Sequence, residues 1–343
     1  MTLGFVVGKF YPPHRGHKHL IDSARKQVDE LIVMLAAHPL QTIPGEVRYA
    51  WLREIHPDCD VRLVADELED DSQQWANFTL KYLGRSPDIV FSSENYGPIY
   101  ASLMGSRHVM VDQLRTTVPI SGTRVRANPL LYLDHLEPCV RAWFVKRVVL
   151  IGAESTGKTT LAQQLADHFQ TVWVPEYGRE HWEEKVSRLR SSETSPSWSS
   201  EEFIHIAQEQ QRREDLAARQ ANRILVCDTN AFATGTWYER YFHARHPLVD
   251  SIGQQSKTDL YLVTAPDVPF VQDGFRDGQH IRNWMHDRFA EQLANLHQSD
   301  PAVRILQIQG SYEQRLATAI ASVDMMLSAR CDRSTADAYK SLE

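Results

Sequence analysis

Cysteine is scarce in this sequence: four residues in 343, at Cys59, Cys139, Cys227 and Cys331. They are scattered, with no Cys-x-x-Cys pair and no Cys/His cluster at metal-ligand spacing. That argues against a disulfide framework or a structural zinc site and for reduced thiols. Long apolar runs are missing too. No window approaches the ~18 consecutive apolar residues that mark a membrane-spanning helix. The opening stretch MTLGFVVGKFYPPH lacks a basic segment followed by a long apolar one, so it does not read as a signal peptide. Nor is there an excess of positive charge. A net charge of −7 argues against a broad nucleic-acid-binding face and leaves local basic pockets for phosphates. These absences predict a cytoplasmic protein with neither membrane nor nucleic acid as partner; homo-oligomerisation is left open.

What is present suits two globular cores. Hydrophobic residues make up 42% and charged residues 24% of the chain, and its length suggests two domains. Short β-branched or aliphatic runs recur between longer helical patterns. The first series is Leu3–Val7, Leu31–Ala36, Val61–Val64, Asp88–Phe91 and His108–Val111. The second is Arg147–Ile151, Thr171–Val174, Ile224–Cys227, Asp259–Thr264 and Arg304–Ile308. The runs mostly lack strict alternation, as strands buried on both faces do. Their alternation with helices predicts an α/β protein with two doubly wound parallel sheets. The expected domains are residues 1–146, residues 147–330 and a polar tail over 331–343. Residues 126–146, with Pro129 and Pro138, read as a broken helical connector. The serine-rich stretch Ser191–Ser200 predicts an exposed mobile loop.

Each series begins with a strand that runs into a phosphate-type loop. The first strand ends in Gly8, Lys9 and Phe10 and continues through Tyr11-Pro12-Pro13 to His14-Arg15-Gly16-His17, with a helix expected from about Lys18. This puts two histidines at the carboxyl end of the first strand and at a helix start, where imidazoles, oriented N–H groups and the helix dipole all favour an anion. Surface histidines in a turn are the plain alternative. Roughly 100 residues on comes Ile120-Ser121-Gly122-Thr123-Arg124-Val125-Arg126. Hydroxyls and glycine there suit a phosphate-binding helix start, with an arginine one turn later. Together the two segments resemble the HxGH/ISGTxxR nucleotidyltransferase superfamily. The resemblance implies attack of an acceptor phosphate oxygen on the α-phosphate of ATP. His17 would stabilise the transition state, and His14, Lys9 and Arg126 would hold the triphosphate with Ser121 and Thr123. Arg124 is a weaker candidate for the same site, with a solvent-facing position as its alternative, and Mg²⁺ would bridge phosphates with few protein ligands.

The second series opens with Gly152-Ala153-Glu154-Ser155-Thr156-Gly157-Lys158-Thr159, between a strand and a helix that continues from Thr160. This is GxxxxGK[ST] in its required setting. Backbone N–H groups cradle the phosphates, Lys158 reaches the β- and γ-oxygens, and Thr159 serves Mg²⁺. Glu176, just beyond the second strand in Glu176-Tyr177-Gly178-Arg179-Glu180, is placed to meet a substrate hydroxyl. Asp228, in Asp228-Thr229-Asn230, sits as the acid that serves the metal directly or through water. Which of the two is the base stays open, and a helix cap is the alternative for either. In the lid-like segment Gln272–Gly278, Arg276 is a candidate to close over the phosphates; Arg282 is a weaker one. Trp237, Tyr238, Tyr241 and Phe242 suit either core packing or a base-stacking wall.

The segments GKFYPPHRGH, SSENYG, PISGTRVR, FVKRVVLIGAESTGKTTLA, EYGRE and DTNAFAT together resemble the bifunctional nicotinamide-nucleotide adenylyltransferase / ribosylnicotinamide kinase (NadR-like) family. The resemblance runs from residue 4 to about residue 320. It implies ATP as co-substrate, Mg²⁺, phosphorylation of nicotinamide riboside to the mononucleotide, and adenylylation of that product to NAD⁺. Tyr177, Arg179, Asn230 and Trp237 become candidates for the riboside. In the front domain Trp75 is a candidate to stack on the nicotinamide ring, a partly buried tryptophan being the alternative, and Asn95 to contact acceptor or ATP. Some family members carry an additional DNA-binding helix-turn-helix; the chain opens on its first strand, so no repressor function is expected. The same architecture acting on another nucleoside, or a nucleotide-sensing regulator with little turnover, are the competing expectations.

Overall fold

Why each phosphate-type loop lies where it does follows from strand order. The computed structural model describes residues 1–188, 197–272 and 278–328. The chain divides into two compact units, Met1–Arg141 and a second that begins at Ala142. The first unit runs β1 (Leu3–Gly8), α1 (Arg15–Arg25), β2 (Glu30–Ala37), α2 (Gly45–Ile55), β3 (Asp60–Ala65), α3 (Ser72–Leu83), β4 (Ile89–Ser92), α4 (Gly97–Leu103), β5 (Arg107–Met110) and α5 (Gly122–Ala127). Its sheet has the order β3-β2-β1-β4-β5. All pairings are parallel, with Leu3 opposite Glu30 and Gly4 opposite Ile89. The order reverses at β1, so the crevice at its carboxyl end opens between β1 and β4, which is where such sheets bind ligands.

Successive residues alternate to opposite faces, and both faces are covered. Val6, Val33, Leu35 and Phe91 pack with Leu20, Ile21 and Ala24 of α1 on one side. Phe5, Met34 and Val90 pack with Ala76, Tyr100 and Ala101 on the other. Each fully buried aliphatic or Phe side chain contributes ~1.5–3 kcal/mol relative to exposure. Two-sided burial is the reason these strands read as unbroken apolar runs. After α5 the connector forms two 3-10 turns, Pro129–Leu131 and Leu133–His135, and then α6 (Pro138–Phe144). The prolines begin these elements, where a missing N–H costs nothing.

The second unit runs β6 (Lys146–Ile151), α7 (Lys158–His168), β7 (Trp173–Val174), α8 (Tyr177–Ser187), α9 (Ser200–Ala218), β8 (Ile224–Asp228), α10 (Ala231–Phe242), α11 (Pro247–Gln255), β9 (Leu260–Thr264), a 3-10 turn at Gln279–Ile281, α12 (Arg282–Ser299), β10 (Arg304–Ile308) and α13 (Tyr312–Ser328). The sheet order is β10-β9-β6-β8-β7, again parallel throughout. The reversal falls at β6, the strand that feeds the phosphate loop. The second strand is shorter than expected because the Thr171 N–H closes the preceding helix on Ala166 O, leaving two residues to pair. Of the serine-rich Ser191–Ser200, residues 191–196 lie outside the described residues, and the end departs from the expected loop. Ser199 caps α9 in a reciprocal pair with Glu202, Ser200 opens the helix, and Trp198 is half-buried. Among the described residues no helix is long and apolar enough to cross a membrane, and Cys59 and Cys227 are free thiols. Cys331 lies outside the described residues.

Candidate active sites

In the first unit the helix after β1 starts earlier than the spacing suggests, because His14 caps it. His14 is extended (φ −145°, ψ 171°). Its Nδ1 accepts the backbone N–H groups of Gly16 at 3.1 Å and His17 at 3.3 Å. His17 Nδ1 accepts the N–H of His14 in return, at 3.3 Å. The rings stack, centroids 3.8 Å apart, and Phe10 packs edge-on against His17 at 5.0 Å. Since each Nδ1 is an acceptor, each neutral ring carries its proton on Nε2, the atom left for a ligand. Burial, then the positive charge of Arg115, lowers His14 to about 4. Burial and the adjacent His14 hold His17 well below the usual imidazole range. The pair therefore offers two neutral N–H donors at pH 7.

The second half of the motif docks onto this loop through backbone. Arg126 Nη1 donates to Tyr11 O at 2.7 Å, its guanidinium lies 4.7 Å from the Tyr11 ring, and Nη2 reaches Thr123 Oγ1 at 3.2 Å. A Cβ at Gly122 would meet Tyr11 O at 2.8 Å, so only glycine lets α5 approach this close. Ser121 is the N-cap of α5 and its Oγ accepts from Arg124 N. Arg124 Nη1 donates to Pro119 O at an exposed position. Lys9 pairs with Asp66 at 3.5 Å while staying 58% exposed, leaving the ammonium accessible. Sequence reading missed Arg48. It is 0% exposed, donates to Lys9 O and to Gln41 Oε1, both at 2.5 Å, and lies 5.3 Å from the Tyr11 ring. It thus holds the histidine loop from beneath. Trp75 is half-buried and packs on Phe78 and the α3-side core. Asn95 is exposed beyond β4 and accepts from Gln113.

In the second unit Gly152–Thr159 wraps as an anion-binding turn. Gly152 (φ 155°) and Gly157 (φ 83°) take up the curvature, and Ser155 (φ 57°) and Thr229 (φ 65°) are also in the left-handed region. A Cβ at Gly152 would meet Thr264 Oγ1 at 2.4 Å. Non-glycine residues with such φ persist only where the surroundings hold them, and they cluster at functional sites. Lys158 Nζ donates to Gly152 O at 3.0 Å and Ala153 O at 2.9 Å, its head drawn over the loop. Thr159 Oγ1 donates to Asp228 Oδ2 at 2.5 Å. The other oxygen, Oδ1, is buried and accepts no hydrogen bond. A buried carboxylate oxygen lacking a donor, beside a phosphate loop, suits a divalent cation held by few protein ligands. Among the described residues no group of three His, Cys, Asp or Glu forms a protein-only metal cage. Burial raises Asp228, against the pull of Lys158. Burial lifts Glu176 to about 7, again opposed by Lys158.

The turn opens into a cleft lined also by Thr160, Glu176, Arg179, Trp182, Trp198, Trp237 and Tyr241. Trp182 and Trp198 stack at 4.9 Å, and Trp198 meets Tyr241 at 5.5 Å. The four aromatics of α10 thus split. Tyr238 and Phe242 stack at 4.4 Å in the α9–α11 core, and Trp237 and Tyr241 face the cleft. Trp182 and Trp198 were not anticipated, one lying past the EYGRE motif and the other in the serine-rich stretch.

Several candidates lie elsewhere than expected. Asn230 is 0% exposed and donates to Thr258 and Tyr261, so it is turned into the core and not toward the cleft. The Tyr177 hydroxyl bonds His205, and its ring lies 4.3 Å from Arg213. The Glu154 carboxylate is occupied by Arg240 Nη1 (3.0 Å) and Gly278 N (2.8 Å), which leaves its loop backbone for phosphate. Arg282, the weaker candidate, donates to Glu154 O, Ser155 O and Val268 O. Arg315, 2% exposed and unforeseen, donates to Thr156 O, Ala265 O and Gly310 O. Both arginines shape the phosphate loop by holding its carbonyls, with their own charge turned inward. Arg276 lies outside the described residues.

Residues 5–128 match the Cytidylyltransferase-like family and residues 147–315 the AAA domain family. The Trifunctional NAD biosynthesis/regulator protein NadR of Escherichia coli (strain K12) is 31% identical, with 80% of this chain and 72% of that protein covered. Its counterpart in Salmonella typhimurium (strain LT2) is 30% identical with the same coverage. Two crystal structures of NadR proteins share the fold over 97% of this chain and 98% of theirs. One is in complex with NR (TM-score 0.77, 23% identity), the other with NAD and AMP-PNP (TM-score 0.75, 22% identity).

Proposed function

The chain belongs to the NadR family of NAD biosynthesis proteins, and on that premise we propose that it makes NAD⁺ in two ATP-dependent steps. Residues 147–330 phosphorylate nicotinamide riboside, and residues 1–146 adenylylate the resulting mononucleotide. In the first step the riboside 5′-hydroxyl oxygen bonds to the γ-phosphorus of ATP, the bond to the β-phosphate oxygen breaks, and the hydroxyl proton passes to a carboxylate. Glu176 is that carboxylate: it lines the cleft beside the aromatic wall, whereas Asp228 does not, and one Asp228 oxygen is already committed to Thr159. A group near 7 can accept a proton at neutral pH. Asp228 Oδ1 and Thr159 Oγ1 would hold Mg²⁺, which would neutralise charge on the phosphate oxygens. Lys158 leaves its loop carbonyls for the phosphates. Trp182, Trp198, Trp237 and Tyr241 enclose the riboside's flat ring, with Arg179 at the rim.

In the second step a phosphate oxygen of the mononucleotide bonds to the α-phosphorus of ATP and pyrophosphate leaves. No side chain takes a proton. His17 and His14 donate Nε2–H to the phosphate oxygens as charge develops, and Arg126, Lys9, Ser121 and Thr123 steady the polyphosphate. Trp75 and Asn95 are proposed for the nicotinamide side of the front site, and both reactions for the cytoplasm.

The observation that carries this reading is the coexistence of the two sites: paired neutral imidazoles at one helix start, and a phosphate loop opening into an aromatic cleft with its own carboxylate. The test supplies nicotinamide riboside, ATP and Mg²⁺ and follows mononucleotide and NAD⁺. Both products should form in succession. Tight nucleotide binding without turnover, or turnover only of other nucleosides, would defeat the proposal.

A further inference from the structure

Two polar residues of α9 lie buried beneath the cleft and have no part in the chemistry just described. Gln210 is 1% and Glu214 0% exposed, one helical turn apart. Gln210 Oε1 accepts the backbone N–H of Tyr177 at 2.9 Å, and its Nε2 donates to Glu214 Oε1 at 3.2 Å. With one end accepting and the other donating, the amide has a single orientation. Glu214 is anchored in turn by Arg147 of β6, at 3.6 Å, and Arg147 Nη2 holds Asp215 at 2.6 Å.

Tyr177 is the first residue of α8 and Glu176 is its N-cap. The first N–H groups of a helix have no partner within it; a cap side chain meets that of the second or third residue, and the first needs another acceptor. Here the Glu176 side chain caps nothing, so its carboxylate is left for the cleft. The N–H beside it is met from another helix, by a glutamine that itself touches the cleft. The backbone that carries Glu176 is thus pinned from α9.

Resting on the reading that Glu176 receives the acceptor proton, we propose that Gln210, oriented by Glu214, is a positioning residue that sets the Glu176 carboxylate for phosphoryl transfer. A displacement of about 1 Å in a reacting group can cost on the order of 100-fold in rate. The donor and acceptor roles at the two positions can be exchanged, which gives a test that mere packing would not pass. In Gln210→Glu, the new carboxylate faces Glu214, and repulsion between the two drives it away from the Tyr177 N–H. Adding Glu214→Gln restores a donor to the pair in swapped order.

The full-length chain and its Gln210→Leu, Gln210→Glu and Gln210→Glu/Glu214→Gln variants are compared at about pH 8.5, above the value of about 7 to which burial raises Glu214. Two readouts are taken: steady-state phosphorylation of nicotinamide riboside, and amide hydrogen exchange of peptides containing Tyr177. Both single variants should lose roughly 10- to 100-fold in kcat, with KM for ATP unchanged and faster exchange at Tyr177. The double variant should recover most of both, the coupling expected of residues in direct contact. Single variants with wild-type kcat, or a folded double variant no better than Gln210→Glu, overturn the proposal. A wild-type chain inactive on the riboside overturns the functional reading instead, and the Tyr177 exchange then still reports whether Gln210 holds that amide.

Discussion

Replacing Gly122 with alanine tests whether the adenylylation site depends on two distant segments meeting through backbone. The added Cβ would lie 2.8 Å from Tyr11 O and 3.3 Å from Arg126 Nη1. The first of these does not yield cheaply. Tyr11 O is main chain in the loop that leads to His14, and it is also the acceptor of the 2.7 Å bond from Arg126. Relief requires α5 to move by several tenths of an ångström, which stretches or breaks that bond. A hydrogen bond to a charged group contributes about 1.5–3 kcal/mol, and a shift approaching 1 Å in phosphate-holding groups costs on the order of 100-fold in rate. Gly122→Ala should therefore lower NAD⁺ formation from the mononucleotide by roughly 30- to 100-fold, within the range that bond and that displacement set. The second unit has its own sheet and its own phosphate loop, so phosphorylation of the riboside by the same protein sample should stay near wild type and serve as the folding control. Adenylylation within about twofold of wild type would refute the reasoning, because the close approach would then not govern the placement of Arg126.

Three further outcomes follow from the same geometry. Lys158→Ala should stop phosphorylation of nicotinamide riboside while mononucleotide supplied directly is still converted to NAD⁺; His17→Ala should do the reverse and let mononucleotide accumulate. Loss of both half-reactions in either folded variant would end the two-site division. Glu176→Gln should lower the kinase kcat by about 10²- to 10⁴-fold, the usual share of a general base, without weakening ATP binding; a kinase unaffected by this change would remove Glu176 from the proton's path. The folded-state value of His14 is depressed from 6.5 to about 4, so the unfolded chain binds the proton more readily. Its contribution to stability is then present above pH ~6.5 and is lost as the pH falls toward 4, up to about 3 kcal/mol. His14→Asn keeps a capping oxygen and removes the titration, so denaturant unfolding of the variant should show a shallower loss of stability across that window; an unchanged slope would contradict the burial argument.

Much of this protein could be read from short stretches of sequence, because the features concerned are local. A strand buried on both faces declares itself as an apolar run. The turns Gly8–His17 and Gly152–Thr159 carry the loop, the anion-binding amides and the helix start within ten residues or fewer. Their positions at the carboxyl ends of β1 and β6 then follow from the parallel layout, and the observed sheet orders place the chain reversal at those two strands. The start of α1 lies a few residues before the position that spacing predicts, because histidine is an uncommon cap and only the reciprocal His14–His17 bonding reveals it.

Tertiary structure alone decided which side chains complete each site and which turn away. Arg315 reaches Thr156 across 159 positions and Arg282 reaches Ser155 across 127, distances over which no periodicity carries information. Arg48, Trp182 and Gln210 acquire their roles from the helix face each happens to occupy, and Trp198 from its place just before the cap of α9. Asn230, two residues from Asp228, shows the converse: adjacency in sequence put it among the candidates, and the turn into α10 buries it against Thr258 and Tyr261. Short-range spacing specifies backbone turns and the phosphate chemistry they support. Packing between elements far apart in the chain specifies the walls, the supports and the orientation of the groups that act.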